Sequence, residues 1–574
     1  MKRAIALIGA TLLLVTTSRA QEVPGDRPAA NPRATRSVVI GRRGMIATSQ
    51  PLASAAGLKV LQEGGNAIDA AVTAAAVLAV VEPTMNGVGG DLFAIVRDGK
   101  TGSLRALNAS GRSPYAMSPR YFAAQGTSRM PASGVHSITV PGVVDGWATL
   151  LATSGTISLA RALAPAIEYA RSGYAVSEII ARQWEGAERK LAGDPDAAHT
   201  FLGNGRAPRP GELFSNPNLA RSLEMIAAGG RDAFYTGPLA RAILAGLRAK
   251  GSLLEDRDFS EHKVDWVTPI STTYRGYDVY EMPPNTQGFV VLEMLNILEG
   301  FDIKALGHNS APYLHLLAEA KRIGFADRGA YLADPDAVPQ KALTTLISKD
   351  YAASRRKDID RMRAAFDYKP AALAGAKPTA RRDEDVNLAG RDRGDTIYMT
   401  AADGNGNAIS LIQSLFSDFG SGVVAGETGI VLHNRGALFN LTPGHPDEIA
   451  PHKRPMHTLI PAFVMKDGKP FLSFGVMGGD HQAQGHVQVL VNMIDFGMNV
   501  QEAGEAARIN HGPNGLQVES GISADARAGL TSRGHKVTEA IGAYGGYQGI
   551  LFDPRTGVLM GGSDPRKDGL AIGF

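Results

Sequence analysis

The sequence has no cysteine among its 574 residues. This absence excludes disulfide bonds, thiolate nucleophiles, cysteine-based metal sites and lipoprotein acylation. The formal net charge is only +3, so neither a nucleic acid nor an anionic membrane is expected as a partner. Beyond the N-terminus, no run is long and apolar enough to span a membrane. The most apolar run, Ile68–Val81, is short and contains Asp69 and Thr73.

Residues 1–20 have the pattern of a secretory signal peptide. Lys2 and Arg3 precede the apolar stretch Ala4–Val15, and Ser18-Arg19-Ala20 provides the small residues before a cleavage site. A retained membrane anchor would need about 20 apolar residues, and this stretch is shorter. We therefore expect the mature chain to begin at Gln21 and to be periplasmic or secreted.

The composition changes abruptly at Thr396. The preceding segment, Arg381–Asp395, carries nine charges in fifteen residues, whereas Thr396–Ala402 and Ala408–Leu415 are typical of two strands joined by a turn. This layout suits a precursor that is cut before Thr396. The new α-amino group, with a reference pKa of about 7.7–8.0, could then serve as a base beside the threonine hydroxyl. Taken alone, the pattern favours a surface linker before an ordinary hairpin, because threonine is common in strands.

A second pattern supplies groups that acyl transfer requires in addition to a nucleophile. Gly478 and Gly479 follow a predicted strand, Pro470–Val476, and precede a predicted helix, Gln482–Phe496. Adjacent glycines at a helix start can point two backbone N–H groups at a developing oxyanion. On its own, this motif is also that of a simple turn.

The remaining pattern predicts strands flanked by helices, which implies layered sheets covered by helices. The further predicted helices are Ala67–Val81, residues 158–183 and 216–250, a helix containing Val290–Leu298, Ala311–Tyr331, Lys357–Leu373 and Val500–Arg508. The further predicted strands are Leu92–Arg97, Gly429–His433, Thr458–Met465 and Gly549–Met560.

Ten ordered motifs carry a specific resemblance. They are GGNAIDAAV, NGVGGD, MPPNTQG, FADRGAYLADPD, DGNGNAIS, FGSGVVAGETGIVLHNRG, APHKRPMHTLIPA, FGVMGGD, NMIDFGMNVQEA and GGSDPR. Together they resemble the γ-glutamyltransferase (glutathione hydrolase) family from about Val38 to Phe574. The resemblance implies an α/β (α+β) fold, the four-layer αββα sandwich of N-terminal-nucleophile hydrolases. It also implies a precursor that cuts itself between Asp395 and Thr396 into a heterodimer. The large subunit would be Gln21–Asp395, with a flexible charged tail at about 376–395, and the small catalytic subunit would be 396–574.

The resemblance also assigns roles to residues. Thr396 matches the nucleophile that forms the acyl-enzyme, and Ser414 replaces a second threonine that hydrogen-bonds it. Gly478 and Gly479 match the oxyanion-hole pair. Arg112 is the candidate clamp for a substrate carboxylate, because a guanidinium binds a carboxylate through two parallel hydrogen bonds, although the local alignment there needs a two-residue shift.

Several positions depart from the family pattern where the substrate is held. Phe416 and Leu438 replace an asparagine and an aspartate that hold the γ-glutamyl α-ammonium, and Arg435, after Asn434, replaces a glutamine. His457-Thr458 replaces two serines, and the stretch 439–455 is shorter than in members with a lid. Asn434, Arg435, His457 and Thr458 remain the candidate substrate-binding residues. An unpaired ammonium against Phe416 and Leu438 would be costly, so the departures resemble the cephalosporin or glutaryl acylase-like branch.

The sequence therefore predicts an enzyme that cleaves γ-glutamyl or glutaryl-type amides through acyl-Thr396. Hydrolysis would dominate, with possible transfer to an amino-acid acceptor and no requirement for a cofactor or metal. One alternative is an acylase with little glutathione activity, and another is a secreted scaffold on an inactive acylase fold. A third is a metallohydrolase built on the histidines His445, His452, His457, His481 and His486. The spacing of His481 and His486 differs from that of two ligands on one helical face.

Overall fold

The computed structural model describes residues 34–365, 367–373, 394–512, 515–539 and 544–574. These residues form two stacked antiparallel sheets with helices on both outer sides. The predicted signal peptide and residues 376–393 of the predicted charged tail lie outside the described residues. No described helix combines the length and apolar character that crossing a bilayer requires.

The described helices differ widely in length. In chain order they are α1 (Pro51–Gln62), α2 (Ala67–Val81), α3 (Pro119–Ala124), α4 (Val143–Ser154), α5 (Leu159–Ser172), α6 (Glu178–Leu191), α7 (Pro195–Phe201), α8 (Pro217–Tyr235), α9 (Pro238–Arg248), α10 (Asp256–Ser260), α11 (Gly288–Leu298), α12 (Ile303–Leu306), α13 (Ala311–Tyr331), α14 (Gln340–Leu346), α15 (Lys349–Arg355), α16 (His481–Ile494), α17 (Val500–Glu505) and α18 (Ala524–Ser532).

The strands are mostly short. In chain order they are β1 (Val39–Gly41), β2 (Gly44–Thr48), β3 (Asp91–Arg97), β4 (Leu104–Ala109), β5 (Tyr174–Ala175), β6 (Leu213–Phe214), β7 (Asp265–Val267), β8 (Ile270–Tyr274), β9 (Tyr277–Glu281), β10 (Gly394–Asp403), β11 (Ala408–Ser417), β12 (Ala462–Lys466), β13 (Lys469–Val476), β14 (Ile509–Gly512), β15 (Gly515–Val518), β16 (Val537–Glu539), β17 (Tyr547–Phe552), β18 (Leu559–Ser563) and β19 (Leu570–Gly573).

Two seven-stranded sheets form the centre. Their strand orders are β1-β18-β17-β13-β12-β9-β8 and β19-β2-β10-β11-β3-β4-β7. Alternation along β10 divides its side chains between two environments. Ile397 and Met399 join the apolar cluster under α2 and α5, whereas Tyr398 belongs to the cluster between the sheets. Helices α11, α13 and α16 cover the outer face of the other sheet, which contains β12 and β13, so the predicted four-layer αββα architecture is confirmed.

The two sheets approach closely where β10 faces β13. The Thr400 and Ser473 hydroxyls lie 2.7 Å apart across the interface. A Cβ at Gly475 would stand 2.4 Å from the Tyr398 ring, so the close approach requires glycine there. The β10 side chains Tyr398 and Thr400 thus pack against β13 shortly before it ends at Val476.

Local sequence signals fixed some helix bounds correctly. Helix α2 spans Ala67–Val81 as predicted, with a capping box between Asn66 and Asp69. Predicted helix 158–183 is instead broken between α5 and α6 by Gly173, which adopts a φ of 87°. The predicted strand Gly549–Met560 is two strands, β17 and β18, joined by a turn.

The predicted helix Lys357–Leu373 is wrong. Its described residues contain only a short 3-10 helix, Arg356–Asp358. The reason is competition from buried carboxylates on α13: the Ala365 N–H donates to Glu319 at 3.0 Å and the Ala371 N–H donates to Asp327 at 2.5 Å. Those side chains satisfy backbone donors that a helix would otherwise pair internally.

Candidate active site

The predicted nucleophile, Thr396, lies inside a strand. Strand β10 begins at Gly394, and its pairing with β11 places Gly394 opposite Ser417 and Asp395 opposite Phe416. The register shifts between Asp395 and Ile397, because two β11 residues, Ser414 and Leu415, face the single residue Thr396. The β-bulge is therefore on β11, directly opposite Thr396. Bulges often lie next to active sites, where they redirect a side chain. The side chain of Thr396 is buried and points its Oγ1 toward Ser414 Oγ at 3.4 Å.

Ser414 connects the nucleophile to a strained neighbour. Its Oγ also accepts the N–H of Phe416 at 2.7 Å. Phe416 adopts a φ of 81°, a conformation that bulky residues rarely tolerate and that clusters at functional sites. The structure therefore brings Thr396 and Ser414 together as predicted, and the backbone N–H of Phe416 belongs to the same hydrogen-bond network.

Gly478 and Gly479 follow the end of β13 and lead into α16. Both have left-handed backbone conformations, with φ values of 114° and 57°, which suits glycine. The Gly478 carbonyl accepts the N–H of His481, and the Gly479 carbonyl accepts the N–H of Gln482. Within the described part of the chain, neither glycine N–H donates a hydrogen bond. These two donors are therefore available to a substrate oxygen.

Gln287 and Arg328 form a hydrogen-bonded brace that supports this glycine loop, and the sequence did not predict it. Gln287 Nε2 donates to the Gly479 carbonyl at 3.1 Å and to the Thr458 carbonyl at 2.9 Å. Arg328 holds Gln287 Oε1 at 2.8 Å and both carboxylate oxygens of Asp480 at 2.6 and 3.1 Å. The motifs MPPNTQG, FADRGAYLADPD and FGVMGGD contain these residues, but their spacing in the sequence does not indicate that they meet.

A buried ionic cluster surrounds Asp91, which lies opposite Ser414 in the β3–β11 pairing. Asp91 Oδ2 lies 3.1 Å from His457 Nε2, 3.5 Å from His433 Nδ1 and 3.9 Å from Arg435 Nε. Burial alone would raise the pKa of Asp91, but its interactions with His433, His457 and Arg435, which include the hydrogen bond from His457, outweigh burial and lower the pKa to about 2. Asp91 is therefore an anion inside the protein.

The two histidines of the cluster are neutral. His457 Nδ1 accepts the N–H of Leu459, so its Nε2 carries the proton that is donated to Asp91. Burial, together with the nearby Arg435, lowers the pKa of His457 to about 3. His433 Nδ1 accepts the N–H of Arg435, and burial likewise lowers the pKa of His433. Arg435 is thus the cation that balances Asp91.

Arg435 is fully buried and has few partners. Its Nη1 donates to Thr458 Oγ1 at 3.2 Å, and its guanidinium lies 4.5 Å from the centre of the Phe416 ring. Its Nε and Nη2 have no hydrogen-bond partner among the described residues. Burial lowers the pKa of Arg435 to about 9, while Asp91 opposes that shift.

Two further candidates have partners of their own. Asn434 Nδ2 donates to the Ala132 carbonyl at 2.7 Å, and its Oδ1 accepts the N–H of Ser417 at 3.1 Å. The Arg112 guanidinium bonds Asp334 and the His452 carbonyl, both at 3.2 Å. The predicted carboxylate clamp at Arg112 is therefore engaged in an ion pair in this structure.

The five histidines of the metallohydrolase alternative are dispersed. His452 stacks on Tyr115, His457 pairs with Asp91 and His486 pairs with Glu281. Among the described residues, the group whose ligand atoms lie within 4.8 Å of one another is His315, Glu319 and His535, which includes none of the five. Glu319 in that group already accepts from Arg322, Tyr368 and the Ala365 N–H.

Two stacked antiparallel sheets between helix layers, with Thr396 bonded to Ser414 on adjacent central strands, define the N-terminal-nucleophile hydrolase class. The sequence model described as Gamma-glutamyltranspeptidase matches residues 53–574, and the chain belongs to this family. The family and its hydrolase-named relatives make the protein an enzyme.

The relatives of this chain are named after different substrates. The chain is 40% identical to the Glutathione hydrolase-like YwrD proenzyme of Bacillus subtilis, covering 93% of this chain and 99% of that protein. It is 36% identical to the Glutathione hydrolase proenzyme of Escherichia coli, covering 93% of each. The crystal structure of cephalosporin acylase from Bacillus halodurans superimposes with a TM-score of 0.87 at 40% identity, covering 96% of this chain and 99% of that one.

Proposed function

We propose that this chain is a secreted or periplasmic precursor that cuts itself between Asp395 and Thr396. The Thr396 hydroxyl oxygen would attack the Asp395 carbonyl carbon as the C–N bond breaks. The hydroxyl proton passes to the departing nitrogen, which becomes the α-amine of Thr396. Water then hydrolyses the resulting ester and leaves a carboxylate on Asp395. The β11 bulge opposite Thr396 and the proenzyme names of the relatives support this step. The two fragments would form the predicted heterodimer.

The processed enzyme would cleave amides by the same chemistry. The α-amine takes the Thr396 hydroxyl proton while the oxygen attacks the substrate's acyl carbon. The N–H groups of Gly478 and Gly479 stabilise the oxyanion, a contribution worth about 2.7–4 kcal/mol for one donor in comparable enzymes. The amine product leaves with the proton, and water hydrolyses acyl-Thr396 to a free acid. Transfer of the acyl group to an amino-acid acceptor would be secondary.

The substrate we propose is a small γ-glutamyl or glutaryl-type amide. Relatives named for glutathione and for cephalosporin support that range. Phe416 and Leu438 are both buried, and neither offers an ionic partner to the α-ammonium of a γ-glutamyl group. We therefore expect an acyl group that lacks the α-amino group to be preferred, with glutathione a poor substrate. A strong preference of kcat/KM for γ-glutamyl over glutaryl anilide would contradict this part.

One observation carries the proposal: the buried Thr396 hydroxyl lies opposite a β11 bulge and bonds Ser414, next to the peptide bond that would be cut. Thr396→Ala should abolish both self-cleavage and turnover. Thr400→Ala is the matched control, since Thr400 is a buried threonine on the same strand that bonds Ser473. It should lose about 1 kcal/mol of stability and still be cut.

A denaturing gel and N-terminal mass spectrometry of the purified chains decide the result. The proposal would be supported if wild type and Thr400→Ala each give two fragments, one ending at Asp395 and one beginning at Thr396, while Thr396→Ala gives one uncut chain. Cutting in Thr396→Ala, or full activity of an uncut wild-type chain, would refute it. An uncut, inactive wild-type chain would favour the alternative of a secreted scaffold on an inactive acylase fold.

A further inference from the structure

Arg435 has donors that the fold does not use. A guanidinium carries five N–H groups, yet here Nη1 meets Thr458 Oγ1, whereas Nε and Nη2 find no hydrogen-bond partner among the described residues. The side chain is fully buried. Buried charges without hydrogen bonds are costly, and native proteins rarely retain them without a reason.

Asp91 does not provide the missing hydrogen-bond acceptors. Its Oδ2 is occupied by His457 at 3.1 Å, and its Oδ1 accepts the N–H of Gly111 at 3.3 Å. The nearest guanidinium nitrogen, Nε, lies 3.9 Å away, which is beyond hydrogen-bond distance. Asp91 therefore offsets the charge of Arg435 without satisfying its donors.

The unused donors lie close to the reaction. Thr396 bonds Ser414, Ser414 bonds the N–H of Phe416, and the Phe416 ring covers the Arg435 guanidinium at 4.5 Å. In the uncut chain the backbone of Phe416 pairs with Asp395. Cleavage turns Asp395 into a chain end, so the cover over Arg435 loses its strand partner at the moment the nucleophile is released.

We propose that Arg435 and Thr458 form an anion pocket that binds a carboxylate at the far end of the acyl chain. The proposal rests on the function proposed above and narrows its substrate class to monoamides of dicarboxylic acids that carry no α-ammonium group. A carboxylate would supply acceptors for Nε and Nη2, and charge-assisted bonds of this kind are strong. A γ-glutamyl ammonium would instead meet a like charge, so the pocket also discriminates by repulsion.

The test uses the purified, processed enzyme and three p-nitroanilides. Glutaryl anilide carries the carboxylate, pentanoyl anilide has the same chain length without it, and γ-glutamyl anilide adds the α-ammonium. For wild type we expect kcat/KM for glutaryl to exceed that for pentanoyl by about 10- to 100-fold, the range for a hydrogen bond to a charged group. A wild type that treats glutaryl and pentanoyl anilides alike would overturn the proposal without any variant.

Arg435→Gln restores the amide side chain that the family pattern places here. In this variant the ratio of kcat/KM for glutaryl over pentanoyl anilide should fall to within about threefold, and pentanoyl anilide should still be hydrolysed. Arg555→Gln is the matched control, because that arginine is also in the 396–574 segment and its side chain is 83% exposed. A glutaryl preference that survives Arg435→Gln would overturn the proposal. Pentanoyl hydrolysis and a cut chain would then still support the proposed function, whereas loss of both in wild type would refute that function separately.

Discussion

Asp91 is expected to be essential for stability because it neutralises a buried arginine. The separation of 3.9 Å between Asp91 Oδ2 and Arg435 Nε corresponds to about 4 kcal/mol of attraction at an effective dielectric constant of 20. Asp91→Asn removes that charge and leaves Arg435 uncompensated. Breaking one side of a buried pair typically costs about 3–5 kcal/mol, and we expect a loss in that range.

Removing the other partner should cost less. In Arg435→Gln, Asp91 keeps the hydrogen bonds from His457 and from the Gly111 N–H, so its charge remains solvated by donors. The double variant, Asp91→Asn with Arg435→Gln, buries no charge at this point. Its cost should therefore fall at least about 2 kcal/mol short of the sum of the two single costs, within the range of coupling measured for contacting residues.

The assay is urea unfolding of the uncut Thr396→Ala chain, which keeps the protein in one piece. Tryptophan fluorescence suits this site, because the buried Trp147 donates to Gln413 on β11 at 3.1 Å. The urea midpoints and slopes of the four chains give the coupling energy. Strict additivity of the two substitutions would refute the idea that Asp91 balances Arg435.

Three further predictions concern turnover. Ser414→Ala should slow self-cleavage, followed on a gel, and should lower kcat with an anilide substrate, each by about 10- to 100-fold. Ser414→Thr keeps the hydroxyl and should retain both self-cleavage and turnover. An equal loss in the two variants would contradict this role of the hydroxyl. Arg328→Lys loses the two hydrogen bonds to Asp480, next to the glycine pair. It should lower kcat about tenfold with KM nearly unchanged, because the glycine N–H groups would stabilise the oxyanion of the transition state. A change in KM alone would argue against this supporting role of Arg328. Finally, burial lowers the pKa of Arg435 to about 9 in the uncut chain, while Asp91 opposes that shift. In the processed enzyme the ratio of glutaryl to pentanoyl kcat/KM should be fully present while Arg435 is charged and should fall as pH rises through its pKa. Ionisations shared by both substrates cancel in this ratio, so a ratio that stays flat through that pKa would contradict the role of Arg435.

Sequence reasoning succeeded where the determinants are local. The bounds of α2 follow from a capping box at Asn66 and from Glu82-Pro83 at its end. The strands around Thr396 and the glycine pair after β13 follow from alternation and turn residues. Each of these signals lies within a few residues of the feature it predicts.

The sequence did not reveal the Asp91 cluster. Asp91 and His457 are 366 positions apart. Asp91 begins β3, whereas His457 lies before β12 and pairs with Thr286, so only tertiary packing brings the two side chains together. The same limit explains the error at Lys357–Leu373, whose backbone donors are taken by Glu319 and Asp327 on another element. Contacts between distant side chains decide both cases, and no local propensity reports them.

The position of Ser414 indicates why an uncut chain would be inactive toward external amides. Its single hydroxyl meets Thr396 Oγ1 on one side and the N–H of Phe416 on the other, while Gly394 and Asp395 cover the same stretch of β11. In that state both Thr396 and Arg435 are buried, and the nitrogen that should act as the base is part of a peptide bond. Breaking that bond would therefore supply the base and uncover the anion pocket together, so substrate selection and nucleophile activation would depend on one chemical event.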